Sequence, residues 1–239
     1  MNYLALGQSL VTECGAGNVQ LLTMQSQTGE AGRMVGWLNA AWNELQTAHD
    51  DWEWMRSSQI LGGGVSFAPA FGGYNAPFGT SAGQLGITAA QFGGRWDKFT
   101  FRNYVTAAGV SSEIFVDPID YDTWRDGYFY GALRNARTRP VVIAIAPDKS
   151  LCFGPPSDGT YTLTGDYYVS PSAMSSDTDT PTGLPAQFHM LIVYRAMRKY
   201  ALYEAATEVL ERADYESDRM FRELDSNYGP KVRMGGAMI

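Results

Sequence analysis

Histidine and cysteine are nearly missing from this chain, with two of each in 239 residues. His49 and His189 stand apart, and no G-x-S-x-G elbow or H-E-x-x-H helix accompanies them, so nucleophilic and zinc-hydrolase chemistry lacks its usual footing. Cys14 and Cys152 form one possible pair, far apart and without metal-ligand spacing; isolated thiols fit assembly in a reducing cytoplasm. No apolar run approaches the ~20 residues of a membrane span. Residues 1–14 lack a basic start and carry Glu13, which makes a poor signal peptide. There is no run of Lys and Arg, and the net charge is −7. A protein that grips duplex DNA needs a basic face to neutralise phosphates, so sequence-specific DNA binding is not expected. Gly62-Gly63-Gly64 is followed by no Gly-Lys-Ser/Thr, which argues against a phosphate cradle.

What is present is helix at both ends and strand between. Asn2 is placed to cap a first helix running to Cys14, stopped by Gly15. Met34, Trp37, Leu38, Ala41, Trp42, Leu45, Ala48 and Trp52 recur at steps of three and four, one apolar stripe. The stripe predicts a second helix from about Thr28, its N-cap, to Arg56. Residues 187–226 contain neither Pro nor Gly and are rich in Ala, Leu, Glu, Arg and Met, which predicts a long helix. Unbroken it would span ~60 Å, and a break near 212–214 is an equal alternative. Its first half is apolar on two faces (Phe188, Leu191 and Ile192; Met190, Val193, Tyr194, Met197 and Ala201), the pattern of a helix buried between partners. Its second half narrows to a seam of Ala206, Leu210, Ala213, Ser217, Met220 and Leu224.

Between these flanks the sequence turns to Gly, Pro, Thr, Tyr and Val. Residues 59–94 are Gly-rich and low in charge, with short strands expected at 65–67 and 85–88. Residues 99–105 mix aromatic and β-branched side chains, and 140–146 form a continuous apolar run. Pro147-Asp148-Lys149 turns that run into Leu151-Cys152-Phe153 as a hairpin. Tyr161-Thr162-Leu163 and Tyr167-Tyr168-Val169 add two more strands, and 121–131 predicts a short helix. The fold class expected is therefore α+β: a discontinuous helical bundle formed by the N- and C-terminal segments, with an inserted antiparallel β-sandwich-like domain. Its expected bounds are 1–58 and 184–228 for the helices, 59–183 for the insert, and 229–239 for a C-terminal docking arm.

Two acidic groups come nearest to chemistry. Asp117, Asp120 and Asp122 lie close together, and Asp177 and Asp179 follow Ser175-Ser176, but neither group has the Gly and terminal Glu of a calcium loop. Turn and capping roles suit them better. No metal, cofactor or catalytic residue is assigned. The alternative from another class is a carbohydrate-active enzyme that uses Asp117 and Asp122 as a carboxylate pair.

Three blocks carry a family resemblance. The first is 28–42, with its Gly32-Arg33-Met34 and Trp37-Leu38 steps, closing on Asp51-Trp52-Glu53-Trp54-Met55-Arg56. The second runs from Arg139-Pro140-Val141-Val142 through Gly154-Pro155-Pro156 to Thr164-Gly165-Asp166-Tyr167-Tyr168. The third is 183–197, continuing to Tyr200 and Tyr203-Glu204. In this order the chain resembles phage head-to-tail adaptor (connector) proteins of the tail-tubular type in short-tailed phages. The resemblance implies a virion structural protein of the neck, without enzymatic activity, assembled in the host cytoplasm. It implies a homo-oligomeric ring, a dodecamer, that binds portal protein and tail nozzle protein and encloses passing double-stranded DNA during ejection. The residues expected at portal or neighbouring-subunit contacts are Tyr194, Met197, Tyr228, Lys231, Val232, Arg233, Met234 and Ile239. Another tail-tube or tail-completion protein is the structural alternative.

Overall fold

The computed structural model describes residues 1–61, 85, 87–88, 91–130 and 132–230. The chain divides into two compact units, one built from 1–55 and 171–239 and the other from 56–170. The described part is mixed α+β, and neither of its two sheets closes into a barrel.

In the helical unit, α1 (Tyr3–Cys14) shows how completely a helix start can be satisfied. Asn2 Oδ1 accepts from the Ala5 N–H at 2.9 Å, and the Asn2 carbonyl takes the Leu6 N–H. The Tyr3 and Leu4 N–H groups donate to the carbonyls of Asp179 and Asp177, at 2.7 and 3.2 Å. The N–H groups of Tyr3, Leu4 and Ala5, which have no partner within the helix, are thus paired, and Leu6 makes the first intrahelical bond. Gly15, at φ 68°, ends the helix in the left-handed region.

Helix α2 (Gly29–Gln46) begins after Thr28 as expected, although the Thr28 side chain makes no capping bond. It stops ten residues short of Arg56. The chain turns at 47–52, so Trp52 reaches the same core from a different direction: its ring is fully buried and its Nε1 donates to the Leu45 carbonyl at 2.9 Å. The helical spacing of Trp52 is therefore coincidental, because a fold-back serves the same burial. Met34, Leu38, Ala41, Trp42 and Leu45 are buried, whereas Ala48 is exposed.

The C-terminal helix breaks into α4 (His189–Glu204) and α5 (Thr207–Tyr228); the short α3 belongs to the other unit. The break falls at Ala205, φ 54°, and not at 212–214. The two helices then run antiparallel: Phe188 meets Tyr228, the Arg195 guanidinium lies over the Phe221 ring at 4.5 Å, and Arg198 pairs with Asp214 at 3.1 Å. The seam predicted on the second half is buried at Ala213, Ser217, Met220 and Leu224. Helix α4 packs against α1, α2 and α5 together, which buries Leu191, Ile192, Val193, Ala196, Met197 and Ala201.

Residues 171–183, expected to close the β insert, lie in the helical unit. Trp42 Nε1 and Gln46 Nε2 both donate to the Ser172 carbonyl, at 2.7 and 3.0 Å, and the Ser172 N–H returns a bond to Gln46 Oε1. Asp177 Oδ1 accepts from the Met24 N–H, while Asp179 Oδ2 accepts from the Ser175 and Ser176 N–H groups. These bonds hold the Asp179 carboxyl below its ordinary range. The polar composition that suggested a linker instead supplies a hydrogen-bonded clasp on α1.

The inserted unit holds a four-stranded sheet ordered β1 (Arg56–Leu61), β7 (Tyr161–Val169), β2 (Phe92–Val105), β3 (Ile114–Phe115). All of its pairings are antiparallel. The two strand segments expected at 161–163 and 167–169 are one strand, continuous through Gly165. There β2 bulges between Asp97 and Arg102, and a side chain on Gly165 would strike the Phe101 ring. The second sheet, β4 (Asp117–Pro118), β5 (Val142–Ile145) and β6 (Leu151–Gly154), contains the expected hairpin and one parallel pair, β4 with β5. Ile143, Leu151 and Phe153 face a core shared with Trp96, Phe101, Tyr161, Leu163 and Tyr167 of the first sheet. Ala144, Ala146 and Cys152, on the opposite face, pack under Trp124 of α3 (Tyr121–Trp124). Burial on both faces explains the unbroken apolar run at 142–146. Of the expected short strands, 65–67 lies outside the described residues, and at 85–88 Leu85 and Ile87 are buried but form no strand.

Trp52 closes the helical core against His49, Trp54 and Phe221, with ring centroids 4.6, 5.8 and 6.1 Å away. Trp52→Ala is expected to destabilise the helical unit by about 3–5 kcal/mol, seen as an earlier loss of far-UV helical signal in urea. A loss below about 1 kcal/mol would show that the turn at 47–52 is held by other contacts.

A pH dependence follows from His189, which is buried, donates from Nε2 to the Leu184 carbonyl at 3.1 Å and accepts at Nδ1 from the Met1 ammonium at 2.7 Å. Burial lowers its pKa, and the nearby ammonium acts in the same direction. In the unfolded chain the ring takes a proton near its ordinary value of about 6.5, whereas the folded ring resists protonation until lower pH. Its contribution is therefore complete above about pH 6.5 and is lost as pH falls from there towards the lowered folded value. His189→Gln, which keeps a donor and an acceptor but cannot titrate, should show a smaller drop in Tm between pH 7 and 5 than wild type. Equal drops would place the acid sensitivity elsewhere.

Candidate interaction surface

The reactive groups are mostly withdrawn from solvent or committed to structure. Cys14 and Cys152 are buried in different units, and burial is the main cause that pushes each thiol up to about 12, which leaves them inert near neutrality. His49 is paired at 3.0 Å with Asp225 and lies edge-on to Trp52. Asp117, Asp120 and Asp122 are exposed: Asp117 sits on β4, Asp120 precedes α3, and Asp122 pairs with Arg125 at 3.2 Å. Among the described residues no three His, Cys, Asp or Glu side chains come together as a metal site.

Two half-buried polar centres in the β unit likewise build the fold. Arg56, at the start of β1, donates from Nε to Asp166 at 2.8 Å and lies 3.2 Å from Asp97, so one guanidinium ties together β1, β7 and β2. Arg139 donates to the side chain and the carbonyl of Asn103, and Asn103, fully buried, donates to the Pro140 carbonyl at 2.7 Å. An open cleft of about 470 Å³ in the helical unit is lined by Trp42, Met174, Thr178, Asp179, Thr180 and Thr182, residues of the α1 clasp and its neighbours. Among the described residues no helix is long and apolar enough to cross a membrane.

The residues expected at subunit or portal contacts separate into three groups. Met197 is fully buried inside the helical unit and offers nothing to a second chain. The reading of α4 as apolar on one face for its own fold and on the other for a neighbour is thereby corrected, since α1, α2 and α5 cover both faces. Tyr194 and Tyr228 are half-buried; Tyr228 stands edge-on to Phe188, with ring centroids 6.0 Å apart, and so ends the helical hairpin. Lys231, Val232, Arg233, Met234 and Ile239 lie outside the described residues.

A surface that the stripe analysis missed lies between α2 and the end of α4. Trp37 is half-buried, with the ring of Tyr200 edge-on at 6.0 Å and that of Tyr203 at 5.6 Å. The Arg33 guanidinium caps the Tyr203 ring at 4.7 Å. Tyr203 and its neighbour Leu202 remain 56% and 64% exposed, unusually open for such side chains in a packed unit. Glu30 and Glu204 border the group: both raise the Tyr200 hydroxyl pKa, after the larger effects of burial and Cys14.

This arrangement is two separate units, a set of aromatic and charged surfaces, and no assembled catalytic constellation among the described residues. A search of curated proteins finds no match. The family model described as SU10 adaptor protein matches residues 1–235, across both units. The chain belongs to the SU10 adaptor protein family and is a phage adaptor, a structural component of the virion.

Proposed function

We propose that this subunit forms a homo-oligomeric ring, a dodecamer, that joins the portal protein to the tail nozzle and encloses the DNA channel, with no catalytic role of its own. The observation that carries this reading is the family match over 1–235 on a chain whose helical and β units are built from separate segments. Two independently cored units suit a part with two partners: one can seat on the portal while the other meets the nozzle. In this reading the helical unit, which carries the C-terminal segment, faces the portal, and residues 229–239 act as the docking arm. The net charge of −7 suits a channel that passes duplex DNA without holding it, because a net negative surface repels the phosphates.

Mixing the purified chain with its portal protein should yield closed rings visible by electron microscopy, and a solved ring should present mainly acidic or neutral side chains to the lumen. A chain that remains monomeric with the portal present would overturn the ring. A lumen lined by Arg and Lys would overturn the sliding channel while leaving the ring intact.

A further inference from the structure

The inserted unit carries no net charge: nine Lys and Arg within 56–170 are matched by nine Asp and Glu. The two signs are not evenly spread. Between Asp126 and Asp148 there is no carboxylate, while Arg134, Arg137 and Arg139 all fall inside that gap. Arg139 turns inward to Asn103 and Ser112, and Arg134 lies over the Phe129 ring at 5.6 Å. Arg137 stands exposed and makes no ion pair among the described residues.

The same stretch leaves apolar side chains in water. Trp124, Ala144, Ala146 and Cys152 form the core beneath it, and Tyr128 and Phe129 pack against that core. The next side chains outward stand clear of it: Tyr130 is 50% exposed and Leu133 51%. Tyr130 is edge-on to Phe129, with ring centroids 4.7 Å apart. The backbone here is held at each step. The Tyr130 N–H donates to the Arg125 carbonyl at 3.2 Å, that of Ala136 to Leu133 at 3.2 Å, and that of Thr138 to Pro156 at 2.8 Å. A fixed surface of Tyr and Arg around an aliphatic residue has the composition of an interface anchor.

Its charge sets the chemistry of what covers it. Enclosing the Arg137 guanidinium beside Leu133 and Tyr130 requires a carboxylate from the other side. Duplex DNA is the poorer fit, because tracking phosphates takes a row of cations, and Arg134 is already seated on Phe129. We infer that Tyr130, Leu133 and Arg137 form a docking surface for a tail-side protein whose matching face presents carboxylates around an apolar recess. The inference rests on the ring reading above, which turns the inserted unit to the nozzle, and deepens it by naming the residues and the partner's chemistry.

The test uses the full-length chain assembled on portal and the purified nozzle protein of the same phage, with binding followed by co-sedimentation across a salt series. Arg137→Glu is expected to weaken nozzle binding about tenfold, and Arg137→Lys to retain most of it. Leu133→Ser should weaken it as well. These side chains are exposed, so both variants should fold and form rings on portal as wild type does. Wild-type binding should fall with rising salt, more steeply than that of Arg137→Glu. Equal nozzle binding by wild type and Arg137→Glu would overturn the inference. So would an Arg137→Glu chain that takes up nozzle normally but loses contact with duplex DNA. Loss of ring closure in that variant would assign the surface to a neighbouring copy and overturn it too. If wild type forms no rings, the ring reading falls, and the same comparison on the unassembled chain still decides this surface.

Discussion

The helical unit depends on one constraint: the Leu191, Ile192, Val193, Ala196, Met197 and Ala201 side chains of α4 must be enclosed. Their enclosure comes from α1 and α2 at the start of the chain and α5 at the end. Most helical stability in proteins comes from packing an apolar face, so these helices depend on one another. The core of Leu6, Leu10, Met34, Leu38, Leu191, Ile192 and Met197 therefore cannot close until the chain has returned from the inserted unit. If residues 56–170 were an unstructured loop, closing them would cost about 4 kcal/mol of chain entropy. An insert with its own core is compact, and its strands β1 and β7, which begin and end it, pair from Arg56↔Tyr168 to Leu61↔Leu163. The pairing brings the two crossing points together and offsets much of that cost.

The returning chain is received by hydrogen bonds rather than by more apolar surface. Ser172 is held through both of its backbone groups by Trp42 and Gln46, and five residues later Asp177 and Asp179 take the free N–H groups of α1. These bonds are directional, so they set the register in which the C-terminal half enters. The neighbouring His189, neutral and bonded at both ring nitrogens, extends the same arrangement to the first turn of α4. Hydrophobic burial supplies the driving force, and this polar clasp selects one arrangement among the many that would bury the same area.

Much of this was legible in the residues. Asn2 and Gly15 mark both ends of α1, the unbroken apolar run of β5 reflects its burial on two faces, and the interruption of the helical unit shows in the change of composition. The place of the break in the C-terminal helix was not legible, because it falls not near 212–214 but at Ala205-Ala206, where intrinsic preference favours helix. What overrides it is tertiary: the fold-back lets Arg195 cover Phe221 and buries Met220 and Leu224, a return that no local signal records. The end of α2 was hidden for a related reason, since Trp52 matches the helical period but enters the core after a turn. The Asp177 and Asp179 cluster was assigned a turn role correctly in kind, while its service to α1 depends on contacts distant in sequence, from Tyr3 to Asp179 and from Leu4 to Asp177.

The correction at α4 bears on how such a subunit can assemble. A helix with one face reserved for a neighbour would leave a large apolar surface in water before assembly, a liability for a chain that must accumulate as free subunits. With both faces of α4 satisfied internally, the surfaces left for partners are small, aromatic and bordered by charge, like the Arg33–Tyr203 group. Surfaces of that kind resemble the non-obligate interfaces of preformed proteins, in which aromatic and Arg anchors are enriched and the rim stays polar. Such contacts are individually weak; in the ring proposed above each subunit would engage two neighbours, which would offset that weakness. Folding and assembly are thereby separated: the core closes within one chain, and association draws on side chains that the core never needed.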